Sequence, residues 1–125
     1  MSAMKNILTV MLGSGLGGGL RFISSEFIKQ QFPSKFPLAT FAVNVLGCFI
    51  IGMIYGISIK ESQDSTGIKL LLATGFCGGF TTFSAFASEN LDLIRNGNQI
   101  TAFAYIILSV VLGIVATFAG SIIFK

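Results

Sequence analysis

Four long apolar stretches fill almost all of the 125-residue chain. A helix needs about 20 apolar residues to cross a bilayer. The stretches that reach this length are residues 7–28, 36–59, 68–94 and 100–124. With 53% hydrophobic and only 10% charged residues, the chain has more apolar surface than a soluble domain of this length can bury. We therefore predict an all-α integral membrane protein whose residues 1–125 form a single four-helix transmembrane domain.

Short polar segments separate these stretches, at residues 29–35, 60–67 and 95–99, and leave no room for a soluble domain. No segment sustains strand-like alternation, and four spans are too few for a transmembrane β-barrel. The chain has no His, and Cys48 and Cys77 lie apart in apolar stretches, so we expect no transition-metal site. The net charge of +3 comes from scattered residues, which argues against a nucleic-acid partner. We expect a lipid bilayer as the surroundings and no enzymatic activity.

The third stretch carries an interruption, because residues 75–86 read Gly-Phe-Cys-Gly-Gly-Phe-Thr-Thr-Phe-Ser-Ala-Phe. Three glycines and two adjacent threonines predict a break of the third helix between Gly75 and Thr82. Broken backbone at membrane depth is tolerated only where protein or a water-filled cavity covers it. Carbonyl groups left unpaired by a break can bind a hard cation such as sodium. A simple kink and a close helix crossing are the alternatives.

The basic residues give no orientation signal. With four spans, both termini and the middle connector share one side, and Lys and Arg are expected in excess on the cytoplasmic side. Each side receives four basic residues, namely Lys5, Lys60, Lys69 and Lys125 against Arg21, Lys29, Lys35 and Arg95. This balance predicts insertion in both orientations, which is called dual topology. The alternative is that other features fix the orientation of so short a chain.

Small residues in the first two spans predict a homodimer. Glycine lets helices approach closely in a membrane, and four helices of this size enclose little interior alone. The glycines concerned are Gly13, Gly15, Gly17, Gly18, Gly19, Gly47 and Gly52. If insertion is dual, the two subunits of the homodimer are antiparallel.

Polar and aromatic side chains form three stripes within the apolar spans. The stripes are Thr40 with Asn44, Thr101 with Tyr105 and Ser109, and Phe83 with Phe86. Amide and hydroxyl groups donate hydrogen bonds, and the edges of aromatic rings are positive. With no mid-span carboxylate in view, such a lining suits a small anion better than a cation. The alternatives are plain packing for the rings and structural hydrogen bonds for the polar groups.

Arg21, near the end of the first stretch, has two interpretations. It either adds positive potential at an entrance or extends to the membrane interface as helix-end Arg side chains commonly do.

These motifs resemble the Fluc fluoride channels, also called CrcB proteins. Residues 75–86 are similar to the glycine, Thr-Thr-Phe-Ser, Phe signature of that family, and residues 40–49 are similar to its second-span motif. Gly13, Gly17 and Arg21 match its first-span pattern, so the resemblance covers nearly the whole chain. The departures are Ser14, Ala39 and Ala85 in place of Gly, Gly and Thr, and Gly113 where some members have Ser.

The resemblance implies an antiparallel homodimer of four-helix subunits in the cell inner (plasma) membrane. Two fluoride pores per dimer would let fluoride leave the cytoplasm passively. The residues that the resemblance assigns to the pore are Phe83, Phe86, Asn44, Thr40, Ser84, Tyr105 and Ser109. It places Arg21 in a vestibule and a structural sodium ion on the backbone carbonyls of Gly78 and Thr81 from both subunits.

Two other functions are compatible with a short four-span chain. A small multidrug-resistance-type cation/proton antiporter needs an acidic residue at mid-depth in the first span, where the only candidate, Glu26, lies near the end. A purely structural or assembly protein leaves the interruption at residues 75–86 unexplained.

Overall fold

The computed structural model of the protein describes residues 2–60 and 66–124. Its helices are α1 (Ala3–Gln31), α2 (Leu38–Lys60), α3 (Thr66–Lys69), a π-helical stretch π1 (Leu70–Cys77), α4 (Gly78–Phe80), α5 (Phe83–Arg95) and α6 (Gln99–Ile122). No strand occurs in the described residues. Within the described ranges, four segments are long and apolar enough to cross a membrane: Ala3–Gln31, Leu38–Ser58, Thr66–Arg95 and Gln99–Ile122. The predicted all-α architecture with four spans is therefore confirmed.

The ends of the spans differ from the prediction by a few residues. α1 begins four residues earlier because the Ser2 hydroxyl caps it by accepting the Lys5 N–H at 3.2 Å. α2 begins at Leu38, directly after Pro37, because proline has no N–H to give to a preceding turn. Of the connector predicted at residues 60–67, residues 61–65 lie outside the described part of the chain, as does Lys125.

Glycines bring the helices into backbone contact. α2 packs mainly against α6, and α1 packs mainly against π1 and α4. A Cβ at Gly52 would collide with the Thr117 carbonyl on α6, and one at Gly17 would collide with the Phe76 carbonyl on π1. Gly13 is equally close to the Leu71 carbonyl and Gly47 to the Thr81 side chain, whereas Gly15 and Gly19 face open space. Within the subunit, close contacts therefore occur at four of the seven glycines, whereas Gly15, Gly18 and Gly19 make none; the homodimer that these glycines predict stays a prediction.

The third span breaks at two threonines. Thr81 has φ −94° and ψ 160°, and Thr82 has φ −151° and ψ 114°, both extended conformations. Thr82 then starts α5, because its hydroxyl accepts the Ala85 N–H at 3.2 Å. The break predicted between Gly75 and Thr82 is confirmed, and it lies at the C-terminal end of that range.

The glycines of the interruption do not themselves break the helix. Gly75 lies in π1, and Gly78 and Gly79 form α4. A Cβ on Gly75 would lie 3.0 Å from the Gly13 Cα, and one on Gly79 would lie 2.9 Å from the Ser14 Cα. Gly75 and Gly79 therefore permit a close crossing with α1, which was one of the alternatives for this segment.

Candidate functional site

A cavity of about 270 Å³ opens beside the break in the third span. We call it the break cavity, and its lining residues are Asn44, Cys48, Thr81, Thr82, Phe83, Phe86, Ser109 and Val110. α2, α5 and α6 each contribute at least one residue from the predicted stripes. The structure therefore brings Asn44, Phe83, Phe86 and Ser109 together at one place, although they are distant in the sequence.

Asn44 holds the broken backbone in place. Its Nδ2 donates to the Thr82 carbonyl at 3.2 Å, and its Oδ1 accepts the Thr82 N–H at 2.7 Å. A helix would have satisfied these groups internally, and leaving them unpaired inside a membrane protein is costly. An amide carries two N–H donors, and the Thr82 carbonyl uses one of them, so Asn44 has a second N–H to donate while it keeps both bonds to Thr82.

The two phenylalanine rings occupy different surroundings. Phe83 is 79% exposed, whereas Phe86 is half-buried. Their ring centroids lie 5.6 Å apart, and the Phe86 ring also contacts the Tyr105 ring at 4.9 Å. Phe86 packs against the buried cluster of Leu93, Ala102 and Tyr105. Packing within the subunit thus explains part of the Phe86 contacts but does not explain the position of Phe83.

Ser109 carries an unused hydroxyl. Its Oγ is buried and has no hydrogen-bond partner among the described residues. A helical Ser or Thr commonly donates to the carbonyl four residues earlier, as Thr117 does to Gly113 at 3.0 Å. A buried polar atom without a partner is unfavourable, so the Ser109 hydroxyl would gain from a ligand in the break cavity that Ser109 lines.

Thr40 and Tyr105 meet at a carboxylate that the sequence argument missed. The Thr40 hydroxyl donates to Glu89 Oε2 at 2.6 Å, and the Tyr105 hydroxyl donates to Glu89 Oε1 at 2.8 Å. Thr40 is 5% exposed and Tyr105 is fully buried. Glu89 thus adds a carboxylate beside two of the predicted polar stripes, whose lining was expected to offer none at mid-span. Glu89 follows Phe86 at a spacing of three, on the same face of α5, and this spacing was the available signal.

Arg21 bonds to the end of the interrupted helix. Its Nε donates to the Gly79 carbonyl at 3.0 Å. A guanidinium is well placed there, because carbonyl groups at a helix C-terminus carry partial negative charge. This bond anchors the side chain beside the break. The vestibule role of Arg21 stays a prediction.

Ser84 lies beside the break, but it does not line the break cavity. It is exposed, and its Oγ is 3.3 Å from the Thr82 Oγ1. Its assignment to the pore also stays a prediction.

The carbonyls of Gly78 and Thr81 lose their usual helical partners. In a continuous helix the Thr82 N–H would bond to Gly78 and the Ala85 N–H would bond to Thr81. Here the Thr82 N–H donates to Asn44, and the Ala85 N–H donates to the Thr82 hydroxyl. Gly78 is exposed, with open space where a Cβ would stand. These carbonyls are hard oxygen donors, so their chemistry fits a sodium ion.

The four spans and the cavity at a helix break define a small multi-pass membrane protein, a class that in bacteria lies in the plasma membrane. Residues 8–121 match the family described as CrcB-like protein, Camphor Resistance (CrcB). The chain belongs to the CrcB family, as the motifs at residues 40–49 and 75–86 predicted. This is a family of channels and not of enzymes.

Curated relatives match over nearly the full length. The chain is 45% identical over 122 residues to the fluoride-specific ion channel FluC of Flavobacterium psychrophilum, with 98% of each chain covered. It is 44% identical over 122 residues to the protein of the same name from Gloeothece citriformis, again with 98% of each chain covered. It is 43% identical over 120 residues to that of Azobacteroides pseudotrichonymphae, with 96% of each chain covered.

Proposed function

We propose that this chain is the subunit of a fluoride-selective channel that lets fluoride leave the cytoplasm passively. The observation that carries the proposal is the convergence of Asn44, Phe83, Phe86 and Ser109 on the break cavity. The names of the curated relatives support fluoride as the ion.

The break cavity offers hydrogen-bond donors that can replace the hydration water of fluoride. Fluoride is small and strongly hydrated, so a selective pore must present close donors. The Ser109 hydroxyl and the second N–H of Asn44 are such donors. The rings of Phe83 and Phe86 can add the positive edges of their quadrupoles. None of the described residues that line this cavity carries a formal charge.

The Thr40–Glu89–Tyr105 cluster forms the next binding position for fluoride beyond the break cavity. Both hydroxyls are held by the Glu89 carboxylate when no ion is present. An arriving fluoride ion competes with that carboxylate for the same two donors. Passage at this point therefore requires the Thr40 and Tyr105 hydroxyls to turn from Glu89 to the ion.

A second copy of the chain would complete the cavity. Phe83 exposes most of its ring, so one subunit cannot enclose an ion there. An antiparallel homodimer would cover this face in both subunits and so create two pores. The balanced basic residues support insertion in both orientations. Reporter fusions after residue 125 should then be found on both sides of the membrane, and a single location for all molecules would exclude the antiparallel arrangement.

The Gly78 and Thr81 carbonyls would hold the sodium ion of such a dimer. One chain supplies only two of these oxygens, so the second subunit must supply the others. A bound sodium ion would neutralise carbonyl dipoles between the subunits. We expect dimer dissociation to increase when sodium is replaced by a bulky organic cation, and an unchanged dimer would argue against the ion.

A small multidrug-resistance-type antiporter is the alternative, and the comparisons do not favour it. Glu26, the acidic residue that this function would need, lies 3.8 Å from Lys29 with its side chain 47% exposed. It is therefore a surface ion pair on α1.

Ion flux from liposomes tests the proposed function directly. Purified protein is reconstituted, and the release of fluoride and of chloride is followed with ion-selective electrodes. We expect fluoride release to exceed chloride release by orders of magnitude. Comparable rates would leave a general anion channel, and proton-coupled uptake of organic cations without fluoride release would favour the antiporter.

A further inference from the structure

A second cavity reaches from the end of the bundle down to Glu89. We call it the mouth cavity. It has a volume of about 340 Å³, and its lining includes Lys29, Ser34, Thr40 and Glu89. Its upper wall is the connector between α1 and α2, where Phe32, Pro33 and Ser34 are exposed. Its floor includes the hydrogen bond between Thr40 and Glu89.

The mouth cavity and the break cavity are joined by a short row of contacting side chains. Glu89 in the mouth cavity accepts the Tyr105 hydroxyl at 2.8 Å. The Tyr105 ring contacts Phe86, whose ring lines the break cavity, with centroids 4.9 Å apart. Tyr105 is fully buried, so this row separates the two cavities and must open if an ion is to pass between them.

The charges that line the mouth cavity act on an anion in opposite directions. The Glu89 carboxylate in its wall repels fluoride, and field lines concentrate in a cavity with low-dielectric walls. Lys29 is the basic residue in the same lining, and its side chain is 61% exposed. Glu26, one turn away, lies 3.8 Å from the Lys29 Nζ and weakens its positive potential.

We infer that the mouth cavity is where fluoride exchanges with water, and that Lys29 raises the fluoride concentration there against the repulsion of Glu89. Glu26 limits this effect by pairing with Lys29. The inference rests on the proposed function and adds to it the point of entry and the residues that set the entry rate.

Charge substitutions at low ionic strength test this inference. A unit charge acting through water over a few ångströms changes the local concentration of an anion by about two- to fivefold. Lys29→Gln should therefore lower fluoride flux by about that factor at about 10 mM salt, and Glu26→Gln should raise it. The Lys29→Gln deficit should shrink at about 1 M salt, where the Debye length is about 3 Å.

Lys35→Gln is the matched control. Lys35 lies on the same connector and is exposed, but it does not line the mouth cavity. The same loss of charge there should leave flux close to that of the unmodified chain. Lys29→Cys adds a rescue: a cationic thiol reagent should restore flux, and an anionic one should lower it further. The unmodified chain, treated with both reagents, controls for reaction at Cys48 and Cys77.

The outcomes separate the two proposals. Equal deficits in Lys29→Gln and Lys35→Gln, or none in either, would overturn the inference that Lys29 acts at the mouth cavity, while fluoride flux through the unmodified chain would still support the channel. A deficit in Lys29→Gln that salt does not reduce would overturn the electrostatic role of Lys29. No fluoride flux from the unmodified chain would overturn the proposed function together with this inference.

Discussion

Removing the Asn44 amide tests how the break in the third span is stabilised. Asn44 is joined to the Thr82 backbone by two hydrogen bonds, at 2.7 and 3.2 Å. Asn44→Ala leaves the Thr82 N–H and carbonyl unpaired, and each unpaired buried group costs about 1–3 kcal/mol. We therefore expect the free energy of unfolding to fall by about 2–6 kcal/mol, towards the lower end because Thr82 is only half-buried.

Asn44→Asp separates the structural role from the role in conduction. A carboxylate at this position still accepts the Thr82 N–H but cannot donate to the Thr82 carbonyl. The stability loss should therefore be smaller, at about 1–3 kcal/mol. Fluoride flux should nevertheless be abolished, because the cavity loses its amide donors and gains a negative charge.

Denaturant unfolding in detergent micelles and fluoride release from liposomes measure the two effects. Asn90→Ala is the control, since it removes a buried amide whose Nδ2 makes one bond, to the Phe86 carbonyl at 2.9 Å. We expect it to lower the free energy of unfolding by only about 1 kcal/mol. Unfolding of Asn44→Ala at the same denaturant concentration as wild type would refute the role of the amide at the break, and wild-type flux in Asn44→Asp would remove Asn44 from the pathway.

Three further substitutions, one of them with a matched control, have expected outcomes. Phe83→Leu keeps apolar volume but loses the ring edge, so fluoride flux should fall strongly while the protein still folds; unchanged flux would assign the ring to packing. Tyr105→Phe keeps the ring contacts but removes the donor to Glu89. Fluoride flux should therefore fall, and the free energy of unfolding should drop by about 1–3 kcal/mol. Wild-type values of both would contradict the role of the Thr40–Glu89–Tyr105 cluster. Gly52→Ala forces a Cβ against the Thr117 carbonyl and should cost about 1–3 kcal/mol in an unfolding titration, whereas Gly15→Ala, in open space, should cost much less.

Hydropathy was sufficient to predict the four spans, because a membrane helix must be apolar over its full length. Spacing was sufficient to predict the stripes on α2, α5 and α6, because residues one turn apart share a helix face. The convergence of Asn44, Phe83, Phe86 and Ser109 required the packing of three helices. The resemblance of the motifs to the CrcB family indicated this convergence, but the helical periodicity alone did not.

Glu89 shows why the chemistry of the pathway was only partly predictable. A sequence displays the charge of a residue but not its partners, and the donors for Glu89 come from α2 and α6. The same limit applies to Arg21, whose contact with Gly79 depends on the crossing of α1 with the third span. The sequence predicts that the glycines at residues 75–79 break the helix, because glycine has this effect in isolation. Their actual contribution, close packing, depends on what lies opposite them.

The π-helical stretch Leu70–Cys77 has a consequence for how the chain tolerates changes in length. Each residue removed from an α-helix rotates everything beyond it by about 100°, which would turn Thr81 and Thr82 away from Asn44. A π-helix has wider turns that hold an additional residue. Deleting one residue there can convert the stretch to α-helix and leave the following segment facing the same way. Single-residue deletions should therefore be tolerated better in Leu70–Cys77 than elsewhere in the four spans. Natural variation in length should accumulate in the same stretch.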